Sequence, residues 1–146
     1  MLFRSPESPG VAVDGRSTGG FGGTSLGSRI VDQPSTDRER LEAQLERTVD
    51  RLRTLGLARL AASFEPEPTR ADAARGVAQR LADLAAELES REPRPLPRLT
   101  DAAVGDQVAV CGHDLLAALG PGSGVARRES VAGVAADLLL DLRRRL

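Results

Sequence analysis

Apolar residues recur at helical spacing along the chain after residue 36. In the first such stretch they are separated by four, four and three positions, which places them on one face of an α-helix. These residues are Leu41, Leu45, Val49 and Leu52. The pattern predicts a helix from residue 37 into the low sixties. Gly56 predicts a kink or a rephased last turn within it, because glycine weakens a helix interior.

A second apolar stretch predicts a helix near residues 69–91. Its spacing is four, three and four, and its members are Val77, Leu81, Leu84 and Leu88. Thr69 and Asp72 at its start form a loose variant of the capping box, in which a side chain accepts a hydrogen bond from the first helical turn. The segment SFEPEPT just before it ends the first helix, since its two prolines cannot continue one.

Two more helices are predicted beyond the proline-rich segment EPRPLPRLT, whose alternating prolines favour an extended, stiff connector. The third helix, 101–119, can be capped by Thr100. Its core-facing residues are Val104, Val108, Cys111, Leu115 and Ala118 or Leu119. The segment GPGSG separates it from a fourth helix at 126–145. The core-facing residues of the fourth helix are Val131, Val134, Ala135, Leu138 and Leu142.

Four amphipathic helices joined by short connections predict an all-α fold. The expected arrangement is an antiparallel four-helix bundle made of two helical hairpins, over residues 37–146. Evidence for strands is nearly absent. Residues 1–36 show no hydrophobic period and contain seven Gly, three Pro and six Ser. Such a composition predicts a flexible, disordered tail.

Composition and charge exclude several classes of partner. All 20 basic residues are arginine, against 21 acids, so the net charge is -1. A broad basic surface for nucleic acid is therefore not expected. No apolar run approaches the roughly 18 residues of a membrane span, and the N-terminus lacks the apolar core of a secretory signal. With one cysteine the chain forms no internal disulfide, so a cytoplasmic location is expected.

The segment CGHD, residues 111–114, holds the only cysteine and the only histidine of the chain. On a helix each residue turns by about 100°, so Cys111 and His113 lie about 200° apart. The two side chains therefore cannot bind one metal ion or form a thiol and imidazole pair. We expect Cys111 to pack in the core as a small hydrophobe and His113 to face outward. No catalytic residue, cofactor or metal ligand is predicted.

Gly105, Ala109 and Gly112 form a narrow second face on the third helix. Small residues at this spacing let another backbone come close, either in the same subunit or in a partner. These three residues are therefore the candidate interface. If Val110 and Ala117 on the neighbouring side are left uncovered by the bundle, a homodimer is favoured.

The segment HDLLAAL, residues 113–119, resembles the H-box of histidine-kinase dimerisation helices. The matching positions are His113, Asp114, Leu115 and Leu119. The departures are Leu116 for a basic residue, Ala117 for a small polar residue and Ala118 for the proline. The resemblance implies that His113 is a phosphoacceptor and that Asp114 is its acid/base neighbour. No glycine-rich nucleotide segment accompanies it, so another protein would supply the phosphate.

The sequence therefore favours a small non-enzymatic interaction or scaffold protein that binds a protein partner or itself. It contains no serine, histidine and acid set, no cluster of metal ligands and no phosphate-binding loop. The exposed carboxylates are expected to form solvated helix faces, and they include Glu42, Glu46, Asp50, Asp137 and Asp141. A histidine phosphotransfer module that uses His113 is the alternative.

Overall fold

Helices make up most of the described part of the chain. The computed structural model describes residues 36–121 and 124–146. The predicted disordered tail lies outside these residues, apart from Thr36. The helices are α1 (Asp37–Thr54), α2 (Leu57–Leu60), α3 (Arg70–Leu88), α4 (Val104–Ala118) and α5 (Val125–Arg145). A β-hairpin of β1 (Ser63–Phe64) and β2 (Glu67–Thr69) separates α2 from α3, and a 3-10 turn (Asp101–Ala103) precedes α4.

The first helix begins at a capping box and ends before Gly56. The Thr36 hydroxyl accepts a hydrogen bond from the Glu39 amide, and the Glu39 carboxylate accepts one from the Thr36 amide. At the other end Leu55 has an extended backbone, and Gly56 begins the single turn of α2. The interruption predicted at Gly56 is thus confirmed, and it is a complete break of the helix.

The β-hairpin is an element that the sequence did not predict. Its strands hold only two and three residues, too few for an alternating pattern to stand out. The side chain of Phe64 is buried beneath the guanidinium groups of Arg70 and Arg145, which lie 5.3 and 4.5 Å from the ring centroid. These cation-π contacts join the hairpin to the start of α3 and to the end of α5.

The cap of α3 confirms the predicted pairing of Thr69 with Asp72. The Thr69 hydroxyl accepts from the Asp72 amide at 3.1 Å and donates to the Asp72 carboxylate at 2.9 Å. Arg75 and Arg98 donate to the same carboxylate at 2.7 and 2.9 Å. The hydrogen bond from Thr69, together with the two guanidinium groups, lowers the pKa of Asp72 below its usual value.

The lowered pKa of Asp72 predicts a loss of stability in acid. A carboxyl group with a depressed folded pKa contributes fully above its unfolded pKa of about 3.9, and the contribution is lost as the pH falls through the folded value. We expect Asp72→Asn to lower Tm by about 5 °C near neutral pH, because it weakens the cap. The difference from the parent should shrink below about pH 4. Thermal melts over a pH series check this, and parallel pH profiles for the two proteins would contradict it.

The core faces predicted for α1 and α4 are confirmed. All four apolar residues of the α1 pattern are buried, and so are Val104, Val108, Cys111, Leu115 and Leu119 of the α4 pattern. In α3 the central Leu81 and Leu84 are buried, whereas Val77 and Leu88 lie half-buried at the margin. Thr100 begins the turn before α4, but its side chain makes no capping hydrogen bond, so that part of the prediction is wrong.

The core face predicted for α5 is confirmed at Ala135 and Leu142 and wrong at Val134. The residues that it buries are Ala132, Ala135, Ala136, Leu139 and Leu142. Val134 is 44% exposed, and Val131 and Leu138 are only half-buried. Helix α1 passes close to this face, and the buried Thr48 hydroxyl of α1 donates to the Leu139 carbonyl at 3.2 Å. The alanines lie where the two helices approach each other. Close approach of two helices favours alanine over larger side chains.

Helices α3 and α4 run parallel, so the antiparallel order predicted for this pair is wrong. Arg75, near the start of α3, forms an ion pair with Asp101, just before α4. At the opposite end Arg127 of α5 donates to the carbonyl of Glu87, in the last turn of α3. The end of α4 also lies there, because only residues 119–124 join it to α5. The two helices therefore begin at one end of the domain and finish at the other.

The proline-rich connector makes this parallel arrangement possible. It has no regular secondary structure between residues 91 and 100 and runs back along α3. The Gln79 side chain holds it in place by donating to the Arg94 carbonyl and accepting from the Leu96 amide. An extended proline-rich segment advances by about 3.1 Å per residue, so about ten residues return along the length of a helix like α3. The prediction of an extended connector is confirmed.

Candidate functional site

Helices α1 and α4 pack against each other in opposite directions. Near the start of α1, Arg38 donates to the carbonyl of Leu116 in the last turn of α4, at 3.0 Å. Near the end of α1, Arg53 pairs with Asp106 in the first turn of α4, at 2.6 Å. The predicted small-residue face of α4 lies along the seam between these two contacts.

At Gly112 and Gly105, α4 lies too close to α1 to leave free space for a larger side chain. A Cβ atom added to Gly112 would lie 2.3 and 2.6 Å from the two methyl carbons of Leu45, far inside contact distance. One added to Gly105 would lie 3.2 Å from Cγ of Arg53 and 3.4 Å from Cβ of Leu52. Both glycines are therefore buried against a helix of the same chain, whereas the sequence left open whether a partner would cover them. Ala109, between them, is half-buried.

A groove of about 610 Å³ lies beside this seam and opens to solvent. Its lining residues are Leu45, Glu46, Val49, Asp50, Arg53, Ala109, Val110, His113 and Asp114. Buried Leu45 and Val49 give it an apolar base, and Val110 is 60% exposed. The groove therefore combines accessible apolar surface with a charged border.

The border of the groove carries an excess of negative charge. Glu46, Asp50 and Asp114 are exposed, and none of them forms an ion pair within residues 36–121 and 124–146. The one arginine in the groove, Arg53, is matched by Asp106. The three remaining carboxylates come from both helices, so the groove as a whole attracts cations.

The structure separates Cys111 from His113. Cys111 is buried in the core, where burial raises the pKa of its thiol and the nearby charge of Asp114 raises it further. His113 and Asp114 are exposed at the border of the groove. The cysteine is thus held as a neutral thiol away from solvent, and the histidine shares its surroundings with carboxylates instead.

Within the part of the chain that the structure describes, no group of three or more histidine, cysteine and acidic side chains is arranged to hold a metal ion. No helix of that part is both long enough and apolar enough to cross a membrane.

Sequence reasoning missed the two carboxylates that α1 contributes to the groove. Glu46 and Asp50 were expected to form a solvated face, and they are exposed as expected. Their position opposite His113 and Asp114 depends on how α1 docks onto α4. The signal available in the sequence was Gly112, whose missing side chain admits Leu45 and thereby sets the register of the two helices.

Comparison with known proteins supplies no relative for this chain. No protein family, curated protein or solved structure matches it.

Proposed function

We propose that this chain is a cytoplasmic, non-enzymatic interaction protein, a four-helix bundle that binds a protein partner through the groove between α1 and α4. The observation that carries the proposal is the exposure of Val110 in that groove, above an apolar base and beside unpaired carboxylates. Apolar grooves with a polar border are typical of surfaces that receive another protein segment.

The contrast between Val110 and the rest of α4 supports this proposal. The helix packs its other large apolar side chains into the core, including Val108, Leu115 and Leu116. Val110 instead remains accessible although α1 lies beside it. An exposed apolar side chain in a groove is unfavourable in water, and a partner that covers it removes this cost by burying the apolar surface.

The groove chemistry favours binding over catalysis. His113 and Asp114 are exposed, whereas acid and base groups that work in catalysis usually depend on an enclosed pocket to tune their protonation. The one cysteine nearby, Cys111, faces the core with a raised pKa, which disfavours the nucleophilic thiolate.

A second candidate function is that of a phosphoacceptor at His113. Its exposure beside Asp114 favours this candidate. Electrostatics oppose it, because a phosphoryl group adds nearly two negative charges close to Asp114 and in the same groove as Glu46 and Asp50. Binding of a partner is therefore the stronger proposal.

Photocrosslinking tests the proposal in the full chain, expressed in its source cells. With Val110→p-benzoylphenylalanine we expect a crosslinked product of higher mass, since position 110 lies in the groove. Val134→p-benzoylphenylalanine is the matched control, because Val134 is an exposed valine on α5, outside the groove. His113→Gln added to the first variant should leave the product unchanged. Loss of the product together with loss of histidine-bound phosphate would instead favour the phosphoacceptor.

A further inference from the structure

We propose that the occupant of the groove is a cationic amphipathic helix of another protein, and not a second copy of this chain. This inference rests on the proposed function and specifies its partner. It follows from the position of the three unpaired carboxylates relative to the apolar base of the groove.

The carboxylates stand on both walls of the groove. Glu46 and Asp50 lie one helical turn apart on α1, which separates them by about 6 Å along the helix axis. Asp114 lies on α4, on the other wall. Val110 gives the α4 wall accessible apolar surface, and Val49 of α1 lies buried at the base. A helix seated there would direct leucine-like side chains to the valines and arginine or lysine side chains to both walls.

The charge of the groove selects a cationic occupant. Arg53 is matched by Asp106, so three carboxylates of the groove lining remain without an ion pair. Complementary charge speeds the encounter with a partner and suppresses partners of the wrong sign.

The same charges disfavour a symmetric dimer. A two-fold axis brings each surface against its own copy, so residues of the groove would face the same residues. Three unpaired carboxylates would then meet three more, with both copies of Arg53 already matched by Asp106. Like charges brought together across an interface are strongly unfavourable. A basic helix of a different protein removes this repulsion.

A designed peptide tests the inference on the full-length protein. The probe is an amidated peptide of about 18 residues, or about five helical turns, with leucine at helical spacing and arginine on both flanks. A matched peptide carries glutamate in place of arginine. Binding is measured by fluorescence anisotropy and located by methyl NMR. We expect the arginine peptide to bind with the largest shifts at Val110, and the glutamate peptide not to bind.

Two triple variants distinguish the effect of the groove carboxylates from the effect of the protein's net charge. Glu46→Gln, Asp50→Asn and Asp114→Asn together should weaken binding of the arginine peptide by about tenfold. The matched control, Glu65→Gln, Glu87→Gln and Glu92→Gln together, changes the net charge by the same amount as the groove triple variant. It does so at exposed sites outside the groove. The control should bind within about twofold of the parent, because screened charges far from a site contribute little. If the groove triple variant does not fold, Asp114→Asn alone is compared with Glu92→Gln.

Several outcomes would overturn the inference. Equal weakening by the two triple variants would mean general charge attraction. Equal binding of the glutamate peptide would show that the groove does not select a cationic partner. A dimer in sedimentation with Val110 at its interface would identify a second copy of this chain as the occupant. A crosslink from position 110 to another protein that persists in the groove triple variant would leave the proposed function standing and reject the cationic helix. Absence of any crosslink from position 110 would reject the proposed function itself.

Discussion

Gly112→Ala is expected to destabilise the protein by about 2 kcal/mol, although glycine to alanine usually stabilises a helix interior. The added Cβ would overlap both methyl carbons of Leu45 and lie 3.0 Å from its Cγ, so the whole buried side chain would have to shift. Overpacking of a dense core costs about 1–3 kcal/mol, which exceeds the gain in helix propensity of about 1 kcal/mol. The free energy of unfolding in urea checks this.

Gly76→Ala is the matched control for this prediction. Gly76 also lies inside a helix, α3, but a Cβ atom added there meets nothing within 4 Å. This substitution should stabilise the protein by up to about 1 kcal/mol, so the two variants are expected to differ in sign. Adding Leu45→Val to Gly112→Ala should recover part of the loss, since it removes atoms from the overlap. Stabilisation by Gly112→Ala would contradict the close contact of α1 with α4.

Leu139→Ala is expected to cost about 3 kcal/mol, within the usual range for a buried leucine. Leu139 is fully buried on the face that α5 presents to α1. Val134→Ala should cost less than about 1 kcal/mol, because Val134 is 44% exposed. The sequence pattern had placed Val134 in the core, so the pair also tests the correction to α5. Equal losses of unfolding free energy for the two variants, or a larger loss for Val134→Ala, would contradict the structure.

The apolar pattern predicted the core faces of α1 and α4 correctly but that of α5 only in part. Both outcomes have one physical cause. In α1 and α4 the large apolar residues other than Val110 face the core, so the periodic pattern and the core face coincide. In α5 valines and leucines lie on several sides, and the core face is marked by alanines. Alanine carries a weak hydrophobic signal, yet it is selected where two backbones come close. A search for the largest side chains therefore included the exposed Val134, although Ala135 and Leu142 are buried as predicted.

Helix direction and short strands are not encoded in local periodicity. An extended connector of about ten residues is compatible with a parallel or an antiparallel return. The hydrogen bonds of Gln79 to the connector, which belong to the tertiary structure, show which of the two occurs. The hairpin around Phe64 depends in the same way on Arg145, which lies far away in the sequence.

Half of the candidate site was predictable. The separation of Cys111 from His113 follows from the turn of about 100° per residue, and the structure shows it. The position of His113 in the same groove as Glu46 and Asp50 cannot be predicted from the sequence of either helix alone. It requires the contact of Gly112 with Leu45, which brings the polar face of one helix beside the exposed face of the other.

The yield of photocrosslinked product at position 110 relative to position 134 tests the role of the groove most directly. Both positions carry exposed valines, and only Val110 lies in the groove between α1 and α4. If a partner binds in the groove, position 110 should crosslink to a segment of it that is rich in basic and apolar residues. Position 134 should give little product. Equal yields at the two positions, or no product at position 110, would contradict the groove as the binding surface.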